Sequence, residues 1–229
     1  MAEATGLELE ARFLAALREL GCSEHAAQEK RYHRSSWEHW GVRAPAMDRA
    51  IREHLQRADP DALFALCERL WREPVWDLKI VAARALARHS VAPDERAWRF
   101  IRERMPELDG WAIADNFADA GSRCLIADPR RLGVVETWVA DPHLWTRRAS
   151  LVFTLPWTKA GRDPEPMLGW ASTLLKDREW FIQKAIGWWL RSLSKTAPER
   201  VRRFLAEHGD EVKGVARREA MKYLGRKPS

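Results

Sequence analysis

The segment Phe181-Ile-Gln-Lys-Ala-Ile-Gly-Trp-Trp-Leu-Arg191 carries a pattern that returns along the chain. Its centre, Gln183-Lys-Ala-Ile186, sets a small residue beside polar or basic neighbours. The same outline stands at Lys79-Ile-Val-Ala-Ala-Arg84, Trp111-Ala-Ile-Ala-Asp115, Arg147-Arg-Ala-Ser150 and Arg218-Glu-Ala-Met221. Aligned on Ala82, Ala114, Ala149, Ala185 and Ala220, the copies lie 32, 35, 36 and 35 residues apart. A small residue at a fixed place lets one helix approach the next closely. A period of this length in a helical chain predicts stacked helix pairs.

The rest of the sequence agrees with helix throughout. Apolar residues recur at steps of three and four, as in Leu7, Phe13, Leu14, Leu17 and Leu20 and in Leu63, Leu66 and Leu70. Strand-like alternation is absent. Ser23 reads as an N-cap, and Pro45, Pro60, Pro74, Pro93 and Pro198 stand where first turns begin. Gly21, Gly41, Gly161 and Gly209 mark breaks, and Pro156 is expected to end or kink its helix. About a dozen helices of roughly 10–18 residues are expected. The expected fold is all-α: one continuous domain over residues 1–229, a right-handed solenoid of HEAT-like helix pairs with a basic concave face. Equivalent positions of successive repeats would line that face, and here they carry Lys79, Asp115, Arg148 and Lys184.

Composition bounds the function. The 39 Lys and Arg against 33 Asp and Glu give a net charge of +6 and a pI near 9.5, which suits a polyanionic partner. Arginine dominates the basic residues, and its flat fork of donors fits phosphate. A GC-rich coding sequence would produce the same bias, so composition leaves the two accounts even. The three cysteines, Cys22, Cys67 and Cys124, show no metal or disulfide spacing and read as buried free thiols in a reducing compartment. Neither a signal peptide nor a run of 18 apolar residues is apparent, so a cytoplasmic chain without a membrane span is expected. The seven histidines form no HExxH or Cys/His cluster, and no phosphate-binding glycine loop or nucleophile motif is present. No metal and no cofactor are expected.

Thirteen tryptophans are the richest chemical signal. Trp111 and Asp115 are four apart, hence on one helix face, with Asp119 a turn further and Asp109 placed to cap the helix. Taken singly, Trp111 is as much a core aromatic as a site residue, and Asp115 reads as a surface carboxylate or a partner of Arg147 or Arg148. Trp188 and Trp189 point about 100° apart, and packing is the plain reading of both. Arg147 and Arg148 open the run Ala149-Ser-Leu-Val-Phe-Thr-Leu155; cations near the positive end of a helix need an anion, which favours phosphate.

Taken together, Tyr32-His-Arg-Ser, Trp40-Gly-Val-Arg-Ala-Pro45, Trp111-x-x-x-Asp115, Trp145-x-x-Arg148-Ala and Phe181-Ile-Gln-Lys-Ala-Ile-Gly-Trp188 resemble the DNA alkylation repair family, HEAT-like-repeat glycosylases of the AlkD type. The resemblance runs from about residue 25 to 224, and the last motif is the most specific. It implies release of cationic alkylated purines such as 3-methyladenine and 7-methylguanine from double-stranded DNA, by a monomer, without flipping the base into a pocket. It implies that an ionised Asp115 is the catalytic carboxylate, with Trp111 and Trp188 as the active-site tryptophans. Arg148 would contact phosphate, and Arg147, Lys184, Lys79, Arg43 and Trp189 would belong to the DNA-facing set. The chain departs from the family pattern at Ala112, where members often carry an acidic residue. The rival readings are a non-catalytic binder of distorted or branched DNA and a protein-binding helical scaffold.

Overall fold

The computed structural model describes residues 2–88, 90–159 and 161–224. Among them stand thirteen α-helices and no strand; Glu38 and Val75 form an isolated parallel bridge. The chain is all-α, and it divides into two compact units, Met1–Ile101 and Arg102–Ser229.

The first unit holds α1 (Ala2–Glu19), α2 (Ser23–His33), α3 (Ala44–Leu55), α4 (Pro60–Arg72), α5 (Trp76–Leu86) and most of α6 (Glu95–Arg104). Helix α4 starts where Pro60 supplies a preset φ and Asp59 caps the first turn, its Oδ1 accepting from the amides of Asp61 and Ala62 at 2.9 and 3.2 Å. Helix α3 buries Met47, Ala50, Ile51 and Leu55, one stripe at helical spacing. Helix α5 is buried all round, with Arg84 its one residue left partly accessible; α3 and α4 pack on it, and α1 packs on α3 and α4. Helix α2 is mostly accessible, with the His33 side chain at its end, 5% accessible and its ring centre 4.9 Å from that of Trp76, the exception. The loop after α2 is fastened instead by the buried carboxylate of Asp77, which accepts from the amides of Trp40 and Val42, both at 2.8 Å.

The second unit holds α7 (Trp111–Ala127), α8 (Leu132–Thr137), α9 (Leu144–Val152), α10 (Glu165–Leu174), α11 (Trp180–Leu193), α12 (Pro198–His208) and α13 (Gly214–Ala220). The odd-numbered helices pack in sequence, α7 on α9, α9 on α11 and α11 on α13. Helices α8 and α10 pack on α9, and α10 and α12 on α11, forming a second layer. Pro156 sits in a one-turn 3-10 segment, Leu155–Thr158, just past the end of α9.

The repeat read from the sequence is physically present. Ala82, Ala114, Ala149, Ala185 and Ala220 are all buried, none more than 1% exposed. Each lies in an odd-numbered helix from α5 to α13. Two glycines at helix crossings have the same cause. A Cβ on Gly121 would lie 2.2 Å from the Phe153 ring, and one on Gly187 would lie 2.8 Å from Glu219 Cβ and 3.0 Å from the Ala216 backbone. The period also appears in side-chain bonding. Trp189 Nε1 donates to the Thr154 carbonyl at 3.4 Å, and the hydroxyls of Thr158 and Ser192 lie 2.7 Å apart. Arg200 forks onto Glu165 at 2.6 and 2.8 Å. Each partner stands one repeat away.

Local details differ from the sequence reading. Gly110, not Asp109, is the N-cap of α7, and Cys22, not Ser23, is that of α2. Cys67 and Cys124 are buried free thiols as expected, but Cys22 is exposed because it lies at that helix start.

Candidate active site

Helices α7, α9 and α11 meet at one guanidinium. Arg148 of α9 donates from Nε to Asp115 Oδ1 at 3.0 Å and from Nη2 to Oδ2 at 2.9 Å. Its Nη1 donates to the Phe181 carbonyl, at the start of α11, at 2.7 Å. This is a two-pronged carboxylate contact, the strong and directional kind. The Asp115 side chain keeps 18% of its surface accessible, while that of Arg148 keeps 6%. Two acceptor positions on the carboxylate are taken and others remain.

Around this pair lie aromatic rings. Trp111 is half-buried one turn before Asp115 on α7. The ring centroids of Trp145 and Phe181 lie 5.0 Å apart and those of Trp180 and Phe181 lie 5.1 Å apart, both edge-on. Along α11, Ile182, Gln183, Ala185, Ile186, Gly187, Trp189, Leu190 and Leu193 are buried. Phe181, Lys184, Trp188 and Arg191 remain partly accessible, and their spacing of three, four and three makes them one stripe.

The structure thus brings Asp115 and Arg148 into contact and leaves Trp111, Trp188 and Lys184 partly accessible. Four expected DNA-facing residues are placed otherwise. Trp189 is fully buried in the core. Lys79 is buried; its Nζ donates to the Trp71 carbonyl and lies 4.5 and 4.8 Å from the Trp37 and Trp71 ring centres. Arg147 is spent on structure: Nε donates to Asp177 Oδ2 at 2.9 Å, and Nη1 to the carbonyls of Asp141 and Pro142, both at 2.8 Å. Arg148 itself is a carboxylate holder, its fork turned to protein oxygens rather than out to phosphate. The anions that these helix-start cations require are Asp177 and Asp115. Arg43 is exposed at the N-cap of α3.

Two neighbours of the stripe escaped the sequence reading. Trp180 is exposed, with Lys184 Nζ 5.6 Å from its ring centre. Glu219 of α13 binds both Lys184, at 3.3 Å, and Arg191. The 35-residue step from Lys184 to Glu219, one repeat, was the available signal. Among the described residues no group of three or more His, Cys, Asp or Glu could hold a metal ion, and no helix is long and apolar enough to cross a membrane.

A profile of the DNA alkylation repair enzyme family matches residues 13–224, nearly the whole chain. The chain belongs to that family. A solved structure described as a predicted DNA alkylation repair enzyme from Enterococcus faecalis is 22% identical, with a TM-score of 0.75 over 90% of this chain and 98% of its own. The X-ray crystal structure of AlkD2 from Streptococcus mutans is 19% identical, with a TM-score of 0.64 over 93% and 98%. That of smu.31 from Streptococcus mutans UA159 is 19% identical, with a TM-score of 0.59 over 77% and 90%. These likenesses establish a shared fold. No curated protein matches the chain.

Proposed function

We propose that this member of the family is a DNA glycosylase. It hydrolyses the N-glycosidic bond of cationic alkylated purines, of the 3-methyladenine and 7-methylguanine kind, in double-stranded DNA. The observation that supports this most is the partly accessible Asp115 carboxylate, fixed by the Arg148 fork one turn from a half-buried tryptophan.

The chemistry needs little more. An alkylated purine is already positive and departs as a neutral base, taking the electrons of its bond to C1′. Positive charge then passes to the sugar, and a fixed carboxylate offsets it there. Water forms the new bond to C1′, and its proton leaves through the carboxylate to solvent. Indole faces at Trp111 and Trp188 would hold the cationic nucleotide, each contact contributing ~0.5–2 kcal/mol. Arg148 acts through Asp115 as a positioning residue, because it fixes where the negative charge points. Lys184 and Arg43 are the proposed phosphate contacts that remain accessible.

The test is release of 7-methylguanine from methylated duplex DNA by the wild type and by Asp115→Asn. The wild type should release the base, and the variant should lose at least a hundredfold in rate, on the scale of losing one preorganised electrostatic group, while still binding duplex DNA. Equal release by both removes Asp115 from the mechanism. Salt-dependent duplex binding without release by the wild type would assign the chain to the non-catalytic binders.

A further inference from the structure

The α11 stripe carries two cations, Lys184 and Arg191, four residues before and three after Trp188. Seven residues separate them, about 10 Å along the helix. Both reach the same carboxylate: Glu219 Oε1 meets Lys184 at 3.3 Å, and Oε2 meets Arg191. The acid is fixed at its root as well. Its Cβ stands where a side chain at Gly187 would have to go, beside the residue preceding Trp188. Burial alone would raise the Glu219 carboxyl. The hydrogen bond from Lys184 and the charges of Arg191, Lys184 and Lys222 together hold it below its ordinary value, so it is ionised at neutral pH.

As a stabilising device this triad is weak. The side chains of Lys184, Arg191 and Glu219 are 40, 26 and 21% accessible, and ion pairs of that kind contribute little. Its stronger effect is to fix the ends of two long, rotamer-rich side chains and to cancel one of their two charges. That matters for the tryptophan between them. Two uncompensated cations would repel a positive base from the indole that is meant to attract it.

We propose that Glu219 is a positioning residue that sets the charge around Trp188, drawing Lys184 and Arg191 into one triad so that the indole can accept a cationic base. This rests on the glycosylase reading above. The lesion class favoured by the device is the positively charged purine over a neutral one of equal shape.

The experiment compares duplexes carrying 2′-fluoro-7-methylguanosine, which is cationic and resists cleavage, with its neutral 7-deaza isostere. The wild type should bind the cationic duplex more tightly. Glu219→Gln should cut that preference by about tenfold, roughly the effect of one desolvated cation–π contact. The same variant should bind undamaged DNA more tightly, with a steeper salt dependence. Lys184→Gln should move the preference the other way, and adding it to Glu219→Gln should restore most of the loss. Lost packing would not be rescued by deleting a cation. An unchanged preference in Glu219→Gln, with or without a lower Tm, overturns the proposal, as does a Lys184→Gln that lowers the preference. A wild type that shows neither preference nor base release overturns the glycosylase reading and this inference with it; intact release with an unchanged preference in Glu219→Gln overturns this inference alone.

Discussion

Arg148 holds Asp115 by both oxygens, at 3.0 and 2.9 Å, and spends its remaining terminal nitrogen on the Phe181 carbonyl. The carboxylate of one repeat is therefore aimed by an arginine of the next, which is itself anchored on the repeat after that.

Arg148→Lys keeps the charge and loses the fork. Release of 7-methylguanine should fall by about a hundredfold, the usual cost of a reacting group displaced by about 1 Å. Affinity for undamaged duplex should change far less, because this guanidinium faces protein. A matched loss of binding and release would return Arg148 to the phosphate-contacting set.

The adjacent tryptophans should separate cleanly. Trp189 is fully buried, so Trp189→Ala should cost about 3–5 kcal/mol and lower the Tm sharply. Trp188 is partly accessible, so Trp188→Ala should cost less stability and lose more base release. Thermal melts run beside the release assay decide the matter, and the reverse order would place Trp188 among packing residues.

Gly187→Ala forces a methyl group against Glu219 Cβ and the Ala216 backbone. Backbone gives way less readily than a side chain, so α11 and α13 must part. We expect about 1–3 kcal/mol of destabilisation in denaturant titration, although alanine is the better helix former. A neutral or stabilising result would mean that the crossing relaxes freely.

Cys67 is fully buried, and burial pushes its thiol up to about 12. At pH 8 a charged disulfide reagent should label exposed Cys22 rapidly and leave Cys67 until denaturant is added. Rapid native labelling of Cys67 would show that α4 opens easily.

The fold was legible because its signal is repetitive: five alanines in register state the helix pairing five times, and each proves to be buried. Asp115 and Arg148 stood out through motifs, but the phosphate contact read for Arg148 did not hold, because its fork is taken by Asp115 and the Phe181 carbonyl. Single residues were less so, since a side chain's direction depends on neighbours distant in sequence. The need of Arg147 and Arg148 for anions was physically sound, but protein carboxylates one repeat away supply them. Lys79 stands three residues before Ala82, whereas accessible Lys184 stands one before Ala185, so the two project in different directions, and Trp37 and Trp71 close over Lys79. Likewise, adjacency on α11 says that Trp188 and Trp189 diverge without saying which one turns inward.

Asp77 serves as a peg from which a whole strap of chain hangs, since its two oxygens catch Trp40 and Val42, and exposed Arg43 follows directly. An alteration hidden inside α5 would thus surface as a displaced positive charge thirty-four residues earlier. Any survey of this chain that sorted substitutions only by accessibility would file such a change under stability and overlook its effect on what the outside of the first unit can touch.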